Sequence, residues 1–101
     1  MITKLDEVLR KIISLLRTCG VDKNAEWFED RKDILARTQT ESPEFQQTLL
    51  EIRNVIAGMG SFSDLSLIPL PSSGVTKDDA GRLQWDLAEE LDEVIAELLQ
   101  R

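Results

Sequence analysis

Histidine and tyrosine are absent from this chain, cysteine occurs once, and the aromatic residues stop at three Phe and two Trp. Without His the commonest general base and metal ligand is missing, and without Tyr a further acid, so most catalytic constellations have no members here. The single Cys19 has no partner for an internal disulfide, and folding therefore needs no oxidising compartment. Long apolar runs are missing too. Lys4, Asp6, Glu7, Arg10, Lys11 and Arg17 interrupt the N-terminal stretch, whereas a spanning helix takes about 20 mostly apolar residues and a signal peptide an unbroken apolar segment. Bases are the minority, 12 against 19 acids, and the formal charge of −7 disfavours nucleic-acid phosphates and anionic membrane surfaces as partners. The expectation is a cytoplasmic protein, not an enzyme, with no cofactor, no metal, no nucleic-acid partner and no membrane partner.

What is present is the composition of one ordinary domain: 101 residues, 42% hydrophobic and 31% charged. Apolar spacing predicts four helices and no period-2 strand, hence an all-α single domain over 1–101, a compact four-helix bundle with a long ordered loop between its third and fourth helices. The first helix spans about 3–19, with Ile2, Leu5, Val8, Leu9, Ile12, Ile13, Leu15 and Leu16 on one side and Gly20 as its left-handed terminator. Cys19, at a helix C-terminus with no histidine to activate it, reads as a small buried hydrophobe.

The second helix begins near Asp22 or Asn24, either able to cap, and carries Trp27, Phe28, Ile34 and Leu35 on a common face. Arg31 falls inside that apolar arc, so it must extend outward along its stem or meet a carboxylate across a helix interface. A third helix opens on Ser42 as cap, Pro43 in the first helical position and Glu44 in the first turn. Phe45, Leu49, Ile52, Val55 and Ile56 form its stripe, and Gly58 is its expected terminator. Residues 58–74 then combine three glycines, two prolines and five serines with Met59, Phe62, Leu65, Leu67, Ile68 and Leu70. Such apolar content predicts a connection packed on the helices, with a short helical turn begun by Ser61 or Ser63. Gly58 and Gly60 do not make a phosphate loop, since no strand precedes them and the Lys-Ser/Thr pair is missing.

The fourth helix starts at Thr76, whose hydroxyl can cap with Asp79 three residues on, and runs to about 99. Ala80, Leu83, Leu87, Leu91, Val94 and Leu98, widened by Ala88, Ile95 and Leu99, predict a helix central to the bundle. This helix also holds the charge: residues 1–77 carry 10 bases and 11 acids, whereas 78–101 carry 2 bases and 8 acids, a local −6. Asp86, Glu89, Glu90, Glu93 and Glu97 share the side opposite the stripe at spacings of three and four. Like charges so placed oppose helix formation by about 0.2–0.5 kcal/mol each. Pairing of Asp78 and Asp79 with Arg82, and of Glu97 with Arg101, recovers part of that. The ridge reads either as a solvated face or as a docking surface for a basic partner. Trp85 beside it is either covered by the 58–74 segment or available to a partner.

The stretch 25–67 resembles a group of small bacterial proteins in which a Trp-Phe aromatic pair, here Trp27 and Phe28, precedes a helix of the form L-x-x-I-R, here Leu49 to Arg53. A G-M-G-S-x-x-D-L segment follows, here Gly58, Met59, Gly60, Ser61, then Asp64 and Leu65. Small bacterial proteins of this kind look like immunity proteins, which are encoded beside secreted toxins and neutralise them by binding. The resemblance thus implies an immunity- or antitoxin-like inhibitor of a cognate toxin; with the acidic ridge the expected protein partner is a basic toxin domain, and the chain itself is expected to be a monomer or homodimer. Candidate partner-binding residues are Trp85, Asp86, Glu89, Glu90, Glu93 and Glu97, with Phe62 and Asp64 from the loop. The alternative is a homo-oligomeric structural or adaptor bundle whose wide apolar arc on the last helix closes on another copy.

Overall fold

The computed structural model describes residues 3–57 and 67–100, and within them the chain is all-α: α1 (Thr3–Thr18), α2 (Asp22–Arg37), α3 (Pro43–Ala57) and α4 (Lys77–Leu99), with one 3-10 turn at Pro71–Ser73. Contacts run α1 to α2, α2 to α3, α3 to α4 and α4 back to α1. The four helices therefore stand as the corners of a bundle; the short α1–α2 and α2–α3 connections make those neighbours antiparallel, and Leu49 beside Leu98 with Arg53 on Asp92 shows the same for α3 and α4 across their long connection. No helix is central, contrary to the expectation for α4. The most deeply covered is α1, where Leu5, Val8, Leu9, Ile12 and Leu16 are wholly inaccessible, because two apolar positions in nearly every turn leave its inner face without a polar interruption.

The end of α1 is a paired-hydrogen-bond turn. Val21 N–H donates to the Leu16 carbonyl (2.8 Å) and Gly20 N–H to that of Arg17 (3.0 Å), with Gly20 at φ +73°. This turn also explains why neither Asp22 nor Asn24 caps α2. Val21 closes α1 and is already the cap position of α2, with no side-chain cap bond, and Asp22 falls inside the first turn, where its charge meets the helix dipole. Gly20 has a second constraint, since a Cβ there would stand 3.3 Å from a Leu70 methyl. Gly74 has the same φ, +74°, with open space around it. Both Gly→Ala changes are expected to destabilise by about 1–2 kcal/mol through the left-handed backbone, and Gly20→Ala by the larger amount, as read from urea midpoints.

Ser42 caps α3 as expected, its Oγ accepting from Phe45 N–H at 3.1 Å, and the buried Thr48 hydroxyl donates to the Glu44 carbonyl at 2.9 Å. Thr76 caps α4 by accepting from Asp79 N–H at 3.1 Å. Between α3 and α4, Leu67 is buried and Leu70 N–H donates to the Thr18 carbonyl at 2.9 Å, which ties the second half of the connection to the end of α1. Ile68 (62% exposed) and Leu70 (46% exposed) stay in solvent, contrary to the packing expected of them, because one buried leucine and one backbone bond suffice to hold the segment. Its helical turn follows Leu70 at Pro71–Ser73 and is closed by Ser73 Oγ donating to the Leu70 carbonyl. The turn expected from Ser61 or Ser63, the terminator Gly58 and the octapeptide motif lie outside the described residues.

Every side of the bundle carries an ion pair between helices: Arg17–Glu29 (2.9 Å) and Lys32–Asp6 (3.8 Å) for α1 and α2, Arg31–Glu51 (2.8 Å) for α2 and α3, Arg53–Asp92 (3.0 Å) for α3 and α4, and Lys4–Glu90 (2.8 Å) for α4 and α1. These pairs are partly exposed, so they contribute more to register and choice of neighbour than to stability. Arg31 takes the second route foreseen for it, a carboxylate across a helix interface, and its guanidinium lies 4.6 Å over the Trp27 ring. Its Nε is shielded from solvent and makes no directed hydrogen bond despite standing 2.8 Å from Glu51 Oε2. The pairing is of charge rather than of hydrogen-bond geometry.

Candidate protein-binding face

Ala80, Gln84, Leu87, Ala88, Leu91, Ile95 and Leu98 turn α4 inward. Leu83 does not join them: it is 46% exposed, at the edge of the stripe, and the polar Gln84 takes the buried place beside it. The apolar arc invoked for a homo-oligomer is thus buried within the chain's own bundle.

From this inward stripe the carboxylates of α4 sort by angle. Glu90 flanks the α1 side and is bonded to Lys4, whose ammonium is held above its ordinary range by the hydrogen bond to Glu90 and then by its charge. Asp92 flanks the α3 side and accepts from Arg53 Nε. Asp86, Glu89, Glu93 and Glu97 remain outward and exposed. Of the five acids of the expected ridge, Glu90 is therefore drawn into the bundle's own lateral pairing, and among the described residues Asp86, Glu89 and Glu93 have no ion-pair partner. Arg82 forms none either, so the compensation expected with Asp78 and Asp79 is not made, and Arg101 lies outside the described residues.

Trp85 is 66% exposed, the most open large apolar side chain of the described residues. Of its two possible fates, cover by the chain or exposure, the structure has the second. It stands one turn before Glu89 and two before Asp92, on the α3 flank of the acidic face. Phe62 and Asp64, the loop candidates, lie outside the described residues.

Leu50 on α3 was not singled out by sequence and is 43% exposed. A signal for it existed, since Leu50 falls about 100° around the helix from Leu49, outside the stripe formed by Phe45, Leu49, Ile52 and Ile56.

A groove of about 480 Å³ between α1 and α2 is lined by Arg10, Ser14, Arg17, Thr18 and Lys32, and its one carboxylate, Glu29, is held by Arg17. Hydrogen bonding to Glu29, then its charge, raises the Arg17 pKa further above its ordinary value. No cluster of three or more His, Cys, Asp or Glu suited to a metal occurs among the described residues, and none of the described helices is long and apolar enough to cross a membrane.

Cys19 is buried, and loss of water around the sulfur raises its pKa above the ordinary value of 9.0. The folded chain then holds the thiol proton more tightly than the unfolded one, so this group favours folding below that ordinary value and ceases to as pH climbs through the raised one. Alkylation at about pH 8 is expected to run at least tenfold slower in the folded protein than in urea; equal rates would contradict the buried placement.

No protein-family model matches the chain, and neither a curated protein nor a solved structure matches it.

Proposed function

We infer that the chain is an immunity- or antitoxin-like protein of the bacterial cytoplasm that neutralises a cognate toxin by direct stoichiometric binding through the outer face of α4. The observation that carries this reading is Trp85, 66% exposed beside Asp86, Glu89 and Glu93, which no described cation neutralises. An open indole beside uncompensated carboxylates is the composition of an anchor with a charged surround. Its charge would speed encounter with a basic surface, while the indole and neighbouring apolar groups would slow dissociation.

The test is co-expression with the product of the reading frame adjacent to its own gene, scored as growth. The chain should restore growth, and the double change Glu89→Lys with Glu93→Lys should abolish protection while the helical circular-dichroism signal stays. Full protection by the double variant would remove the face from the mechanism, and a harmless neighbouring product would remove the toxin reading itself.

A further inference from the structure

Acids outnumber bases in the whole chain, but residues 1–42 carry eight of each, so α1 and α2 form a neutral half beside the acidic α4. Within that half the groove between the two helices gathers three cations, Arg10, Arg17 and Lys32, against one carboxylate, Glu29. The compensation beyond its walls is incomplete. Asp6 accepts from Arg10 Nε at 2.7 Å and is also the carboxylate nearest the Lys32 ammonium, so one anion serves two cations. Lys32 stands 3.8 Å from it, too far for a hydrogen bond, and makes none among the described residues although its side chain is only 22% exposed.

The remaining walls are donors as well. Thr38 and Thr48 return their hydroxyl protons to carbonyls four residues earlier, whereas the hydroxyls of Ser14 and Thr18, both in the groove, have no hydrogen bond among the described residues. A guanidinium carries five N–H donors and a carboxylate takes two at most, so Arg10 on Asp6 and Arg17 on Glu29 each keep three for another acceptor. Ile13, nearly inaccessible, is the one apolar side chain of the lining. A groove so rich in donors and so poor in free acceptors is complementary to an anion with many oxygens.

The ligand's size follows from the spacing. Arg10 and Arg17 are two turns apart on α1, about 10 Å along the axis, which a single phosphate ion cannot bridge and a row of phosphoryl groups can. The acidic face does not oppose such a ligand. α2 lies diagonally across from α4 in a bundle 22 Å wide, and charges further apart than the Debye length of about 8 Å are largely screened.

We propose that the α1–α2 groove binds the phosphate chain of a small molecule, with Arg10, Lys32 and Ser14 around one end and Arg17 and Thr18 at the other. This site is independent of the toxin-binding reading and lies on another side of the bundle.

The probe is tripolyphosphate, titrated into the full chain by calorimetry and isotope-edited NMR, with ATP and citrate as further arms at equal ionic strength. Tripolyphosphate should saturate below about 1 mM and shift the resonances of residues 10–18 and 29–32 first. Lys32→Ala should weaken it at least about tenfold with the helical spectrum unchanged. Ser14→Ala should weaken it about threefold or more, and since alanine is the better helix former, that loss cannot be laid to unfolding. Lys11→Ala, which removes the same charge from an exposed position of α1 outside the groove, should change the affinity less than about twofold. Tighter binding of ATP than of tripolyphosphate would make a nucleotide the source of the phosphate chain, and equal or weaker binding a free polyphosphate.

No saturation by about 1 mM, citrate binding as tight as tripolyphosphate, or shifts centred on α3 and α4 would each overturn the proposal. So would equal losses for Lys11→Ala and Lys32→Ala, which would reduce the effect to diffuse attraction, or an unaltered affinity in both Lys32→Ala and Ser14→Ala.

Discussion

Leu91→Ala is expected to destabilise the bundle by about 2–5 kcal/mol, and Leu83→Ala by less than about 1 kcal/mol. The two leucines are eight residues apart and occupy the same apolar stripe on a helical wheel. Leu91 is fully buried and Leu83 is 46% exposed. Truncating Leu91 removes three carbons from the middle of the core and leaves a hole that α1 and α3 can only partly close. Truncating Leu83 removes carbons already half in water. A chain of this size is stable by about 5–15 kcal/mol, so the first change takes a large fraction and lowers the melting temperature by roughly 10–30 °C, while the second shifts it by a few degrees. Chemical denaturation with matched m-values decides; similar losses for both would mean that Leu83 is covered in solution.

The contrast marks what periodicity can and cannot report. Of the inward residues named for α1, Ile2 lies outside the described residues and the other seven are buried, because the stripe meets helices on both sides and the wheel alone then determines the outcome. On α4 the same procedure yields an arc too wide by one edge. Whether Leu83 is inside depends on how near α1 approaches at that level, a tertiary distance that spacing within one helix does not encode. The caps of α3 and α4 were legible, since Ser42 and Thr76 act through neighbours three residues away. The start of α2 was not, because the closing turn of α1 had already claimed Val21.

Charge behaves in the same way. The concentration of acids in α4 is a property of sequence, but their division is not. Glu90 and Glu89 are adjacent in the chain and differ by about 100° around the helix, so one reaches Lys4 and the other faces water. The inward and lateral groups of α4 hold the bundle together, and what remains, Asp86, Glu89, Glu93 and the open Trp85, is the part the fold does not use. That remainder is what makes a partner a reasonable explanation, since a purely structural helix would gain from losing it.

Glu93→Lys separates the two explanations most sharply because its effects on stability and on binding have opposite signs. Glu93 is four residues from both Glu89 and Glu97. Each such like-charge pair costs about 0.2–0.5 kcal/mol, and reversal converts both into attractions of similar size. The folded state should therefore gain about 1–2 kcal/mol at low salt, measured as a raised urea midpoint with unchanged m-value. Added salt should shrink the gain as the Debye length falls to about 8 Å and below. Binding of a basic partner should weaken at least about tenfold in the same buffer, chiefly through slower association. A stabilising change that impairs binding is the mark of a surface kept for function at the expense of the fold. A variant that is more stable and binds as tightly as the parent would make the ridge a solvated face only.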